Sequence, residues 1–201
     1  MPNTKVRIKR LTSWEDVKEC AMATCGVEWC PKEITSDWKK KILAAEHSPL
    51  RALHFRITFT DIPSWVATHL LRHTNGVTPF VQSQREDRSK DHKSRHELPQ
   101  DAPVLMKLEL NAQSILNISR KRLCCLASPE TRVAWQLVKD ELIRMGETEL
   151  AAYMIPECVH QHGCPEMKGC GRMPPLPLRS IDDDPFAKPA VADKISEIWK
   201  D

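Results

Sequence analysis

Between Ala52 and Phe59 the chain alternates strictly: Leu53, Phe55, Ile57 and Phe59 fall on one side, His54, Arg56 and Thr58 on the other. A period of two is that of an extended strand with one face buried. After the turn residues Asp61, Ile62 and Pro63, the period lengthens: Trp65, Val66, Leu70 and Leu71 mark a helix starting at Pro63 or Ser64. This packing segment runs directly into Arg72, His73, Ser83, Gln84, Arg85 and Arg88, with Gly76 and Pro79 between them. Anion-binding and proton-handling groups therefore follow a strand and a helix without a break. Composition alone is also met by a core helix leading into a solvated loop, and Arg72 and His73 in a last turn suit the helix dipole by about 0.3–1 kcal/mol each.

Around this stretch, helices are expected over 13–25, with Ser13 as N-cap, and over the DWKKKILAAEH segment after Ser36, which ends at His47, Ser48 and Pro49. Residues 74–100 read as an extended segment followed by an exposed connection. Pro103 opens what reads as the longest helix, over about 103–126, with Leu105, Leu108, Ala112, Ile115, Leu116 and Leu123 as its apolar stripe. That segment also carries Asn111, Gln113, Ser114, Asn117 and Arg122, and Asn and Ser are poor helix fillers. Amides and arginines beside an apolar stripe make a wall for a polar planar ligand. Ser128 and Pro129 start a further helix that Gly146 ends, and a short helical piece follows over about 147–154.

The chain of 201 residues is long enough for one substantial core, and 30 Lys and Arg against 27 Asp and Glu leave a net charge of only +3. That balance calls for neither nucleic acid nor a membrane surface, so anion recognition is expected to be local. The chain has no apolar run long enough to span a membrane, and MPNTKVRIKR lacks the apolar segment of a signal peptide; a cytoplasmic location is expected. Eight cysteines in a reducing compartment favour metal ligation or plain thiols over a disulfide framework. Cys20, Cys25 and Cys30 match no compact zinc spacing and read as idle thiols. Cys158, Cys164 and Cys170 are equally spaced in a Gly- and Pro-rich loop, 156–171, that lacks apolar filling. With Cys124 or Cys125 they would complete a tetrahedral set for zinc or an iron–sulfur cluster, free or locally bridged thiols being the alternative.

The order of features resembles the flavin-dependent thymidylate synthases over about residues 36–150: His47-Ser-Pro, the alternating strand, Leu-Leu-Arg72-His73, Ser83-Gln84-Arg85, then Asn111-Ala-Gln-Ser114 and Arg122. Thr74 and Gln113 stand where that family has arginine, Phe80 and Val81 replace its Asn-Glu, Glu86 replaces its Tyr, and one extra residue lies in the spacer. An arginine-histidine pair alone carries nothing; five features in order carry more. The resemblance implies an α+β fold, a mixed α/β subunit with long helices packed beside a curved antiparallel sheet. One domain over 1–172 is expected, and the Pro-rich and acidic stretch 173–201, with a weak terminal helix over 190–200, reads as a C-terminal arm.

The resemblance also implies a homotetramer with sites between subunits, converting dUMP to dTMP with FAD, methylenetetrahydrofolate and NADPH. Arg72, His73, Asn111, Asn117 and His47 would serve FAD. His69, Ser83, Arg85, Arg88 and Arg122 would surround the nucleotide, with Arg122, Ser83 and Arg85 as the catalytic set. Chemically, an arginine offers phosphate a bidentate fork, and Arg122 can stabilise negative charge on uracil oxygens without losing its own proton. Ser83 has no adjacent base, which favours a substrate hydrogen bond over nucleophilic attack. The missing arginines each remove about 1.5–3 kcal/mol of charged hydrogen bonding unless residues such as Arg88 or Lys121 compensate. The departures leave open a changed one-carbon chemistry or nucleotide, such as hydroxymethylation or a cytosine substrate, and a non-catalytic FAD- or nucleotide-binding protein.

Overall fold

In the computed structural model, which describes residues 3–88 and 94–180, four antiparallel strands are ordered β1-β2-β4-β3. The alternating stretch forms β2 (His54–Pro63). Its inward Phe55, Ile57 and Phe59 are fully buried opposite Leu110, Leu108 and Met106 of β4 (Pro103–Asn111). The other face is polar, and there Arg56 Nε donates to the carboxylate of its cross-strand partner Glu109 at 2.6 Å. Between Phe59 and Ile62 the register shifts, with Asp61 at φ 55°, and this bulge bends the strand.

The helix expected over 103–126 is two elements. Residues 103–111 form β4, in which Val104, Met106, Leu108 and Leu110 turn inward while Leu105 stays 41% exposed. The spacing of Leu105, Leu108 and Ala112 fits a helix, but β2 and β3 (Val77–Val81) both need this segment as their partner. The helix begins only at α4 (Ala112–Arg122), where Asn111 is the N-cap and its Oδ1 accepts from the Ser114 N–H at 2.9 Å. β1 (Lys5–Arg10) is a strand that its basic residues hide; Ile8 faces Ile57.

The remaining helices follow their caps. Asp16 accepts from the Ser13 N–H at the start of α1 (Trp14–Thr24). Thr35 caps α2 (Ser36–Ala45), one residue earlier than expected. α3 (Ser64–Leu71) and α5 (Pro129–Arg144), with Ser128 as N-cap, pack towards the sheet, and α6 (Thr148–Tyr153) and α7 (Glu157–His160) complete the chain to the cysteine loop. Trp135 of α5 is fully buried and donates from Nε1 to Ser119 Oγ at 2.9 Å, which joins α5 to α4. The terminal helix expected near 190–200, and most of the 173–201 arm, lie outside the described residues. No helix among the described residues is long and apolar enough to cross a membrane.

One buried carboxylate ties the ends of this framework together. Glu147, between α5 and α6, accepts from Arg10 of β1 at 2.7 Å and from Trp14 Nε1 of α1 at 2.9 Å. Glu147→Ala strands the buried indole N–H and Arg10 at once. It should lower stability by roughly 2–3 kcal/mol in urea denaturation; a loss below about 0.5 kcal/mol would show that the junction does not depend on this group.

Candidate functional site

Leaving α3, the chain turns at Arg72 and His73 and lies along α4, which holds the turn at two points. At the far end of α4, Arg122 Nε donates to His73 Nε2 at 2.8 Å and Arg122 Nη2 to the His69 carbonyl at 2.6 Å. At its start, the Ser114 hydroxyl donates to the Asn75 carbonyl at 2.8 Å, with the Gly76 carbonyl at 3.1 Å. Gly76 has φ +68°, and a Cβ there would stand 2.6 Å from Ser114 Oγ and 2.8 Å from Asn111 Nδ2. Only glycine passes that close to α4 in that conformation.

The electrostatics at the Arg122 end are unusual. Burial, and then the Arg122 charge, push His73 down to about 4. The ring is therefore neutral near pH 7, and because Nε2 accepts from Arg122 its proton sits on Nδ1. Burial and the charges of Arg122 and Arg72 also lower His69, whose Nδ1 lies 2.9 Å from the Thr131 hydroxyl. Arg122 itself is lowered by burial and by Arg72. Among the described residues no carboxylate pairs with Arg122 or Arg72. Two neighbouring cations, one half-buried, with no acid among the described residues to balance them are chemically suited to an anion.

Beside the Ser114 end, a cleft of about 460 Å³ is lined by Arg51, Asn75, Gly76, Asn111, Gln113 and Asn117. Sequence reasoning did not single out Arg51: a lone arginine on the 3₁₀ turn Ser48–Ala52 leaves no pattern. Gln113 and Asn117 are oriented by their surroundings. Gln113 Nε2 donates to Glu46 at 2.6 Å and lies 3.3 Å from Asn117 Oδ1, which also accepts from Arg120 at 3.1 Å. Glu46 closes α2 at φ 48°, pairs with Arg120 and faces His160 Nε2 at 3.6 Å, joining α2, α4 and α7.

The structure thus brings together His69, Arg72, His73 and Arg122, and separately Asn111 and Asn117. It does not bring the other expected residues to them within one chain. Val77 of β3 pairs with Leu110 and Val81 with Met106, so β3 leads away from Gly76. Ser83, Arg85 and Arg88 follow beyond that far end, more than about 13 Å along the sheet from Gly76 at the usual strand rise. There Ser83 Oγ accepts from the Arg85 N–H at 3.3 Å and Arg85 pairs with Asp87 at 2.9 Å, both arginines being exposed. β3 lies at the edge of the sheet with Phe80 53% exposed. His47 lines a different cleft, with Trp38 and Pro49.

Among the described residues no three His, Cys, Asp or Glu side chains, Cys124, Cys158, Cys164 and Cys170 included, come together as a ready metal site. Cys170 and Cys125 lie close enough to influence each other, the thiol of Cys125 being pushed up and that of Cys170 down. Cys164 is buried in its own loop, where its N–H donates to Pro174 and its carbonyl accepts from Leu176. The loop takes its order from this short backbone ladder.

The depressed His73 has a measurable consequence. Between pH 6.5 and about 4 the unfolded chain binds a proton that folded His73 refuses. Stability from this group is thus full above that window and falls as pH is lowered through it. His73→Gln keeps an acceptor for Arg122 but does not titrate. Urea midpoints taken from about pH 7 down to about pH 4.5 should fall more steeply for the wild type than for His73→Gln; parallel curves would contradict the neutral ring.

No protein-family model matches this chain, and no curated protein sequence does. Solved structures do. Thymidylate synthase X from Helicobacter pylori, solved with FAD and dUMP, aligns with TM-score 0.61 at 14% identity, over 78% of this chain and 99% of that one. A second structure of that flavin-dependent enzyme, also with FAD and dUMP, gives 0.59 at 15% identity over 77% and 99%. A UMP/dUMP methylase from Streptomyces cacaoi, bound with 5-Br dUMP, gives 0.56 at 11% identity over 75% and 96%. At these identities the likeness establishes the fold: the chain has the α+β architecture of the flavin-dependent thymidylate synthases.

Proposed function

We propose that this protein is a flavin-dependent enzyme that methylates a pyrimidine deoxynucleotide at C5, converting dUMP to dTMP with methylenetetrahydrofolate as carbon donor and NADPH as reductant. The observation that carries the reading is the half-buried Arg122, beside Arg72, with no carboxylate among the described residues paired to either. A fold shared with structures solved with FAD and dUMP supports it. The donor set suits a flavin nucleotide: Asn75, Asn111, Gln113 and Asn117 line a polar cleft containing one arginine, next to Arg72 and His73.

Bound FAD, once reduced, supplies the reducing equivalents for the transferred carbon. The chain's own residues do the rest. Arg122 donates to a neutral ring and a backbone carbonyl, so it is oriented without being neutralised. From there it stabilises negative charge that develops on a uracil carbonyl oxygen as C5 becomes nucleophilic. His73 serves as its acceptor and, being neutral, adds no competing positive charge. His69, fixed through Thr131, holds the carbonyl that anchors Arg122. Asn111 and Asn117 offer amides to the flavin. Ser83, Arg85 and Arg88 take the nucleotide phosphate at a neighbouring subunit's site, which is consistent with their distance from Arg122 in one chain and with the exposure of β3; a homotetramer would provide that arrangement.

A second reading keeps the flavin and changes the carbon chemistry or the base. Gln113, at a position where the resemblance calls for arginine, is committed to Glu46, so the ligand-facing surface differs there. Purified protein should be yellow and release FAD. With dUMP, methylenetetrahydrofolate and NADPH the product should have the mass of dTMP. The mass of a hydroxymethyl nucleotide, or turnover of a cytosine nucleotide alone, would establish the second reading, and bound FAD without turnover would overturn both in favour of a binding protein.

Arg122→Ala should lower turnover by roughly a hundredfold or more with the fold retained. Arg85→Ala should be similarly impaired, and oligomers assembled from the two inactive variants should recover activity. Near-normal Arg122→Ala turnover would remove its role, and no recovery on mixing would place each site within one chain.

A further inference from the structure

The cleft at the start of α4 holds one cation, and its setting is that of a ligand-binding group. Arg51 sits on the turn Ser48–Ala52, whose Pro49 and Leu50 are buried. The backbone around it is pinned from both sides: the Ala52 carbonyl accepts from Thr12 Oγ1 at 2.6 Å, and the Leu53 carbonyl accepts from the Ala112 N–H at 2.8 Å. The arginine is therefore carried on a rigid base facing the amides of Asn75, Asn111 and Asn117. Its guanidinium has no hydrogen bond or ion pair among the described residues. The nearby cation on α4, Arg120, is not equivalent, because Glu46 and Asn117 take its donors. Nor is Gln113, whose amide is held by Glu46.

An exposed guanidinium on a fixed backbone, unpaired among the described residues and beside converging amides, matches a phosphate oxyanion, which a planar fork binds bidentately. Every other residue lining the cleft, Gln113 included, is uncharged, so Arg51 is the lining group that can balance such a charge.

We infer that Arg51 is the phosphate-binding residue of this cleft and contacts the diphosphate of the flavin dinucleotide, restoring from the turn before β2 charge that positions 74 and 113 lack. The inference rests on the flavin reading above. It goes further by assigning the diphosphate to a residue outside every motif that pointed to a flavin.

The test compares FAD, riboflavin and dUMP binding to wild type, Arg51→Lys and Arg51→Ala by fluorescence quenching or calorimetry, with thermal melting to check the fold. Riboflavin has the ring without phosphate, and dUMP brings the competing phosphate. Arg51→Ala should weaken FAD by roughly ten- to a hundredfold, leave riboflavin and dUMP within about twofold, and flatten the salt dependence of FAD binding. Arg51→Lys should fall between. Placing Gln113→Arg on Arg51→Ala should recover part of the FAD affinity.

Unchanged FAD affinity in a folded Arg51→Ala, or an equal loss for riboflavin, overturns the assignment while leaving the flavin reading standing. A loss confined to dUMP moves Arg51 to the nucleotide phosphate and overturns the assignment to FAD. Failure of the wild type to bind FAD removes both.

Discussion

Much of the candidate site depends on a half-buried arginine that no acid among the described residues neutralises. Arg122 is held by acceptors without charge, the His73 ring and the His69 carbonyl, and has Arg72 rather than an acid as its charged neighbour. Keeping such a cation partly out of water is unfavourable unless an anion joins it, and the proposed nucleotide would supply one. Burial, and then the charge of the arginine that donates to it, keep the His73 imidazole neutral.

The sheet makes this placement possible. β4 runs through the middle of the sheet and passes at Asn111 straight into α4, so the axis of α4 is set by the strand register. Asn111 caps the helix with its Oδ1, while its Nδ2 side limits the approach of residue 76. The turn between α3 and β3 is clamped at Ser114 and at Arg122, eight positions apart on α4. A glycine at 76 and a hydroxyl at 114 thus fix the backbone from which Arg72 and His73 project.

How far this was legible in the sequence depended on whether the informative contact was local. The alternation in β2 and the caps of α1 and α5 are properties of neighbouring residues, and they read through directly. The segment 103–111 misled because Leu105, Leu108 and Ala112 fit a helical period, whereas its strand partners lie more than 20 residues away in the chain. β1 is hidden by lysines and arginines whose stems line an exposed face. Arg72, His73 and Arg122 stand out through their resemblance to a family pattern, but the bond between His73 and Arg122 belongs to tertiary structure. Arg51 had no signal because its meaning comes from Asn111 and Gln113 across the cleft. The even spacing of the loop cysteines, by contrast, does not by itself bring three of their side chains together among the described residues.

Chemistry at C5 is the central claim, and hydrogen loss from that carbon tests it most directly. With dUMP deuterated at C5, FAD, methylenetetrahydrofolate and NADPH, the account predicts deuterium in solvent water in step with formation of dTMP. Neither should occur when the flavin is withheld. Full retention of deuterium by a folded, FAD-loaded protein would contradict it.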